Sequence, residues 1–527
     1  MPISYDDIPR MERPAGWIPD WSTAAIDGRR RDLAAMDQEL EAIDSAAWSI
    51  SRQVDHRLIG SAVARVHWEL DILRSHQLNP DFYVHQTLGP LFLSLLKPQP
   101  FEQERCREIL TRLSSVPGIV EQAKRNLAEA IRPFAVVAIE KLSGIRECLS
   151  TVGAELRPLF FDDSAHELGL AITNSIVALE SFRDWLDANL ATMADRTSVG
   201  HDAYSFFLKQ VALMPFTTEQ LLAMSRQEWE RSVAFESFEK IRNAGIQPSS
   251  IFPSQLVQIE RAAQLEAEIR DFLESRNILT VPQWVKHYVN LPLPAYLAPL
   301  SFMGVTDDLT SASRLNENGI SYIKQPSPDL DYFSLSIARD PRPLIVHEGV
   351  PGHYLQLVLS WAHENPIRRH YYDSGANEGI GFYAEELMLQ FGLFDDNPHT
   401  REIMYSFMKL RAVRVEVDVK LALGEFTIDE ASTYLQEVAD LDTATARQEA
   451  TFFASSPGQA ITYQIGKLQL IKFLADTKNC KKESFDLRAF HDFVWLNGNV
   501  PVSLQRWELL ELTDEIEILR SDSELSR

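Results

Sequence analysis

Two histidines stand six residues apart in Pro343-Leu344-Ile345-Val346-His347-Glu348-Gly349-Val350-Pro351-Gly352-His353-Tyr354-Leu355-Gln356. Neutral imidazoles and carboxylates bind zinc. A glutamate beside the first histidine is placed to take a proton from water, as in helical H-E-x-x-H sites. The spacing differs from those sites. A four-residue step returns a side chain to nearly the same helix face, whereas a six-residue step leaves the rings roughly 120° apart. A regular helix therefore does not aim His347 and His353 at one ion. Pro351 lacks the N–H that would bond the His347 carbonyl, and Gly352 accepts unusual dihedrals. A widened π-like turn or a break is expected between Glu348 and His353. The third ligand is expected from Asn377-Glu378-Gly379, where a second helix begins. The twenty-five residues from His353 to Glu378 allow that helix to return antiparallel. Two histidines and a glutamate with one open position form a catalytic zinc arrangement. Manganese or cobalt would use the same ligands, and four-coordinate N/O ligation makes zinc the default.

The remaining chemistry needs a base and an oxyanion donor. Glu348 is the expected general base, taking a proton from water and passing it to a leaving amine. Tyr463 is the candidate donor to the tetrahedral oxyanion. Four-residue steps put Gln459, Tyr463 and Lys467 on one helix face; the alternative for Tyr463 is a core aromatic. Arg414 and Asp418, four apart, would either pair within their helix or divide their tasks. In the second case Arg411 or Arg414 grips a substrate carboxylate, alongside Gln459, and Asp418 orients a ligand histidine. Gln356, one turn after His353, is expected to orient its neighbours.

These stretches resemble the bacterial family called domain of unknown function 885. Its members carry H-E-G-x-P-G-H-x-x-Q, an E-G helix, R-x-x-x-D and P-G-Q-A-x-x-Y. Here these are His347 to Gln356, Glu378-Gly379, Arg414 to Asp418, and Pro457-Gly458-Gln459-Ala460-Ile461-Thr462-Tyr463. The resemblance is strong from about residue 300 to 510 and looser before that, where Gly200-His201-Asp202-Ala203-Tyr204 is the best echo. The family is similar to helical zinc metallopeptidases of the thimet oligopeptidase and angiotensin-converting enzyme type, which implies a zincin-like body and points to the same tyrosine. The sequence departs from the family at Ala422, where a histidine is usual, at Phe452 and Phe453, where arginine and tyrosine are usual, and at Ile380, in place of tryptophan. The ligands and base are intact. The departures bear on the pocket, and exchanging a cation for apolar surface suggests a substrate different from the family's, with a non-peptide among the alternatives.

Composition narrows the function classes. A net charge of −24 argues against nucleic acid, which needs a positive surface. It either attracts cationic substrates or merely solvates the surface. The three cysteines, Cys106, Cys148 and Cys480, form no C-x-x-C pair. Met1 to Asp7 has no basic segment followed by an apolar core, and no apolar run reaches the ~20 residues that span a bilayer. A cytoplasmic protein acting on a small peptide or small molecule is expected, with neither membrane nor nucleic acid as partner.

The positioning elements are almost all helical. Capping boxes at Thr217-Thr218-Glu219-Gln220 and Thr427-Ile428-Asp429-Glu430 start two helices. Pro117-Gly118 is expected to break one, and Pro457 to begin another. Gly319 to Ile323 and Tyr332 to Ile337 read as two strands of a hairpin or small sheet edge, able either to pair with a peptide substrate or simply to cover the site. The expected fold is mainly α, a zincin-like helical body with a small β element and a central cleft. Residues 1–290 form a helical half without a recognised motif and 291–527 the zinc-bearing catalytic half, unless both are one continuous domain. The expected activity is zinc-dependent hydrolysis of an amide bond, most simply in a short peptide. The alternatives are a tailoring hydrolase of a specialised metabolite and a non-catalytic helical binding protein with a relic metal site.

Overall fold

The computed structural model describes residues 12–521. Met1 to Asp7, read above for a leader, lies outside the described residues. The chain is mainly α-helical, with one small three-stranded sheet. Its strands are β1 (Tyr288–Pro292), β2 (Asp307–Asp308) and β3 (Gly319–Ile323), in the order β1-β3-β2. No described helix is long and apolar enough to cross a membrane.

Of the two expected strands, only Gly319–Ile323 forms, and it is the central one. Tyr332–Arg339 is a helix. Its alternating aromatic and apolar residues suit a strand, but strand preference depends strongly on context. Asp331 decides the matter locally: its side chain accepts from the Ser334 N–H at 2.9 Å and the Ser334 hydroxyl at 2.8 Å, an N-cap that starts a helix.

The chain divides into two compact units. The first comprises residues 1–38, 66–197 and 292–308, and the second residues 39–65, 198–291 and 309–527. One crossing falls at Leu291–Pro292, within the Leu-Pro-Leu-Pro stretch.

In the first unit the Gln103–Asn126 helix packs against Asp162–Asn189. It runs straight through Pro117-Gly118, where a break was expected. Burial of Val116, Ile119 and Val120 on its packed face holds the helix across the missing N–H.

The second unit carries every candidate site residue. Both capping boxes form, at Thr217/Gln220 and Thr427/Glu430. The Thr218–Arg242 helix packs along Pro398–Leu423, and Ser374–Gln390 packs along Ile461–Lys481. This last pair crosses backbone to backbone. A Cβ on Gly379 would sit 2.8 Å from the Gly466 Cα, and one on Gly466 would sit 2.2 Å from the Gly375 carbonyl oxygen. Only glycine fits at either position, and the close crossing brings the helices bearing Glu378 and Tyr463 together.

Pro457 does not begin its helix. Residues 456–460 form a turn with Gly458 at φ +91°, and the helix starts at Ile461. The start is set from another helix. Asp418 accepts the N–H groups of Gly458 (2.8 Å), Ala460 (2.7 Å) and Ile461 (3.3 Å). It therefore supplies the cap that no local side chain provides.

Candidate metal centre

Both a widened turn and a break lie between the two histidines. Ile345–Gly349 is a π-turn, closed by the Val350 N–H on the Ile345 carbonyl at 2.9 Å. Val350 then takes an extended conformation, and a new helix starts at His353. Gly352 makes the passage possible, since a Cβ there would lie 1.7 Å from the His347 carbonyl oxygen. The Trp495 indole N–H fixes the break by donating to the Pro351 carbonyl at 2.6 Å. Regular geometry would have turned the rings apart. With the distortion, their centroids are 4.7 Å apart at 79°.

Glu378 arrives on the Ser374–Gln390 helix. Asp373 caps that helix at the Ala376 N–H, 2.7 Å away. Gln356 ties it down: its Oε1 accepts from Asn377 Nδ2 at 2.9 Å and from Asn499 Nδ2 at 3.0 Å. Glu378 is fully buried, and its Oε2 lies 3.4 Å from His347 Nε2 and 3.2 Å from His353 Nε2. Two ligand atoms about 2.0–2.1 Å from a tetrahedral ion are themselves about 3.3–3.4 Å apart. The two approaches of Glu378 Oε2, one to each histidine, therefore match the spacing of neighbouring atoms in such a ligand set.

Their hydrogen bonding points the same way. Both Glu378 oxygens and both His353 nitrogens are buried without a hydrogen-bond partner. Buried polar atoms are rarely left so, and a cation bound between them would take His353 Nε2 and the Glu378 carboxylate together. His347, Glu348 and His353 also offer ligand atoms within 4.8 Å of one another, which raises Glu348 as a rival third ligand. Glu378 fits better, because one of its oxygens faces both Nε2 atoms from full burial. Glu348 is only half-buried, as suits a side chain that reaches a substrate.

Glu385 is the residue that sequence reasoning missed. Its Oε1 lies 2.6 Å from His347 Nδ1, a close ionic contact aligned outside regular hydrogen-bond geometry. It also lies 3.0 Å from Arg411 Nη2. Glu385 follows Glu378 by seven residues, two helical turns on the same face, and that spacing was the available signal. Burial works against a charged His347, but Glu378 and Glu385, then Glu348, hold its imidazole up at about 9. Glu378 is likewise opposed by burial, and the two histidines hold it well below the usual carboxylate range.

The other expected residues gather nearby with different partners. Tyr463, half-buried, stacks on His347 with ring centroids 6.3 Å apart and planes at 17°. Gln459 precedes the Tyr463 helix and donates from Nε2 to Ser374 Oγ at 2.8 Å. Lys467, fully buried, bonds Glu386 at 2.8 Å and Glu228 at 3.1 Å. The intrahelical Arg414–Asp418 pair does not form. Arg414 instead makes two 2.6 Å bonds to Glu449. Asp418, expected to orient a histidine, does not reach one: both its oxygens are taken, and the carboxylate against the outer nitrogen of His347 is Glu385. The Asp418 oxygens hold the 456–460 turn and the Tyr204 hydroxyl at 3.1 Å. Tyr204 belongs to the Gly200-His201-Asp202-Ala203-Tyr204 echo, which thus reaches the centre through Asp418.

The profile of a family described as bacterial protein of unknown function (DUF885) matches residues 9–242 and 260–509. The match extends well in front of the four motifs. No curated protein matches the chain in sequence. Two solved structures share its fold. One is a "putative lipoprotein of unknown function" from Shewanella oneidensis, with TM-score 0.73 and 17% identity over 94% of each chain. The other is a "putative lipoprotein" from Colwellia psychrerythraea, with TM-score 0.75 and 16% identity over 96% of this chain and 93% of that one.

Proposed function

We propose a function from the site itself, because the chain belongs to the bacterial family of unknown function DUF885, whose description assigns no activity. The proposed activity is zinc-dependent hydrolysis of an amide bond, most simply in a short peptide, within a zincin-like helical body. His347, His353 and Glu378 would hold the ion. The observation that carries the reading is the approach of one Glu378 oxygen to both Nε2 atoms, at 3.2 and 3.4 Å, buried where no regular hydrogen bond satisfies the carboxylate. A bound zinc ion would supply positive charge to the carbonyl oxygen and make a water easier to deprotonate.

The chain's own residues would do the rest. Glu348 takes a proton from the attacking water as its oxygen bonds the carbonyl carbon. The Tyr463 hydroxyl donates to the oxygen that gains charge. Glu348 then returns the proton to the amide nitrogen as the C–N bond breaks, leaving a carboxylic acid and an amine, and the acid then passes its proton to the amine. Glu385 holds His347 from its far side, and Gln356 holds the helix that delivers Glu378.

A tailoring hydrolase of a specialised metabolite is the second reading, and the aromatic surroundings of Tyr463 favour it. Arg414 lies 5.0 Å from the Tyr463 ring, 5.8 Å from Phe333 and 5.7 Å from Phe453. Metal analysis of the purified, dialysed protein tests the centre. A digest of a peptide library beside a screen of amide-bearing metabolites separates the two substrate classes. A protein that binds no divalent ion at all would leave the relic-site binding protein as the reading. The cytoplasmic placement belongs to the same proposal, and cell fractionation tests it.

A further inference from the structure

We infer that the centre accepts substrates presenting an aromatic or large apolar group, and no carboxylate, next to the bond that reacts. This deepens the amide-hydrolysis reading and rests on it. Two cations stand near the histidines, Arg411 and Arg414, the side chains that would hold a substrate carboxylate.

Both are committed to carboxylates of the protein. Arg414 is buried and makes its two 2.6 Å bonds to Glu449 in the bidentate form, the strongest pairing a guanidinium offers. Arg411 is buried and pairs with Glu385 at 3.0 Å. Its Nε and Nη1 have no hydrogen-bond partner, yet both are sealed from solvent. Aromatic rings surround this guanidinium, with Phe382 at 5.1 Å, Phe407 at 5.2 Å and Tyr463 at 5.8 Å from its centre. A substrate carboxylate would have to displace Glu449 from Arg414, exchanging one charge-assisted pair for another with no net gain, or pass the surrounding rings to reach the buried Nε and Nη1 of Arg411.

Two of the partly exposed side chains at this place are aromatic. Phe333 and Tyr463 are both half-buried and flank Arg414, with ring centres 5.8 Å and 5.0 Å from its guanidinium carbon. Phe333 packs on Phe407 at 5.6 Å and on Tyr332 at 5.1 Å, and Tyr463 stacks on the His347 imidazole. Rings, joined across the Arg411 and Arg414 guanidinium groups, thus lead from the Tyr332–Arg339 helix to the first histidine. Phe333 faces this run because Asp331 caps a helix there. A strand, as the sequence suggested, would have alternated its side chains between two faces.

Binding measurements keep this inference separate from the reaction. The probes are N-acetyl-phenylalanine amide, N-acetyl-alanine amide and N-acetyl-phenylalanine free acid, titrated calorimetrically into the zinc-loaded full chain. The expected order is phenylalanine amide at least about tenfold tighter than alanine amide, with the free acid no tighter than the amide. Phe333→Ala should cut the phenylalanine-to-alanine ratio severalfold. Glu449→Gln, which frees Arg414, should raise the acid-to-amide ratio about tenfold. Equal affinities for the two amides, or a wild-type preference for the acid, would overturn the inference. Ring-selective binding without turnover of any amide would uphold it and remove the hydrolase reading alone. Turnover that favours alanine or acidic substrates would do the opposite.

Discussion

Two buried carboxylates within one compact unit face opposite situations. Asp418 is surrounded by donors, three backbone N–H groups and the Tyr204 hydroxyl. Glu378 is just as buried, yet neither of its oxygens has a regular hydrogen bond, and two imidazole nitrogens stand 3.2 and 3.4 Å from one of them. A buried charge is expensive unless its surroundings compensate it. At Asp418 the protein supplies the compensation and gains a fixed turn. At Glu378 it supplies two imidazole nitrogens that make no regular hydrogen bond to the carboxylate, an arrangement a bound cation would complete. The first arrangement is complete without a ligand, and the second calls for one.

Breaking the ligand set should produce the largest change. His347→Ala removes one of three donors, and the dialysed protein should retain no stoichiometric metal and show no turnover. Metal content close to wild type would place the ion elsewhere. Glu348→Gln should keep the metal while turnover falls by about 10²–10⁴, the usual worth of a positioned base. Near-normal turnover would remove Glu348 from that role. Tyr463→Phe comes next, with kcat lower by about 10²–10³ and metal content and KM little changed. A hydroxyl aimed at the oxyanion acts in the transition state, so an unaltered kcat would return Tyr463 to packing.

The same contrast explains what could be read from the sequence. The gathering of residues 347, 348, 353 and 378 was legible because their side-chain chemistry suggests a common partner. The distortion between the histidines was legible because 3.6 residues per turn forbids the alternative and Pro351-Gly352 marks where the chain gives way. Asp418 was misassigned because its partners lie forty residues ahead and two hundred behind, a relation no local spacing encodes. Glu385 was overlooked although its seven-residue step from Glu378 was visible. The Tyr332 strand was wrong for a local reason, the Asp331 cap outweighing alternation. Pro117 failed as a breaker because packing, not propensity, settles a buried helix.

A subtler change sharpens the comparison from the metal side. Glu385 touches His347 on the nitrogen away from Glu378, and Arg411 anchors Glu385 in turn. Such outer partners fix the orientation of a ligand ring, and losing one typically weakens metal affinity by 10–100-fold. Glu385→Gln should raise the zinc Kd, measured against a competing chelator, by about that factor while stoichiometry stays at wild type. Unchanged affinity would make the Glu385–His347 contact incidental.

The smallest effect expected is at Asp418, and it decides which of two opposing forces governs that carboxylate. Burial is the larger and pushes its carboxyl up to about 7, while the N–H groups of Gly458 and Ala460 and the Tyr204 hydroxyl pull it down. An unfolded aspartate titrates near 3.9, so between about pH 4 and 7 the folded chain holds this proton more tightly than the unfolded one. The sign follows from linkage: the contribution of Asp418 to stability is full below about pH 4 and is lost as pH rises through about 7. Asp418→Asn cannot titrate, and its amide presents N–H where the turn also presents N–H. It should lower stability by about 1–3 kcal/mol, with Tyr463 poorly held and metal content intact. Thermal midpoints of the two proteins should differ more at pH 5.5 than at pH 8. A gap that widens toward pH 8 would mean that the donors outweigh burial and that Asp418 works as a full anion, whereas equal gaps would mean that its charge is immaterial to the turn.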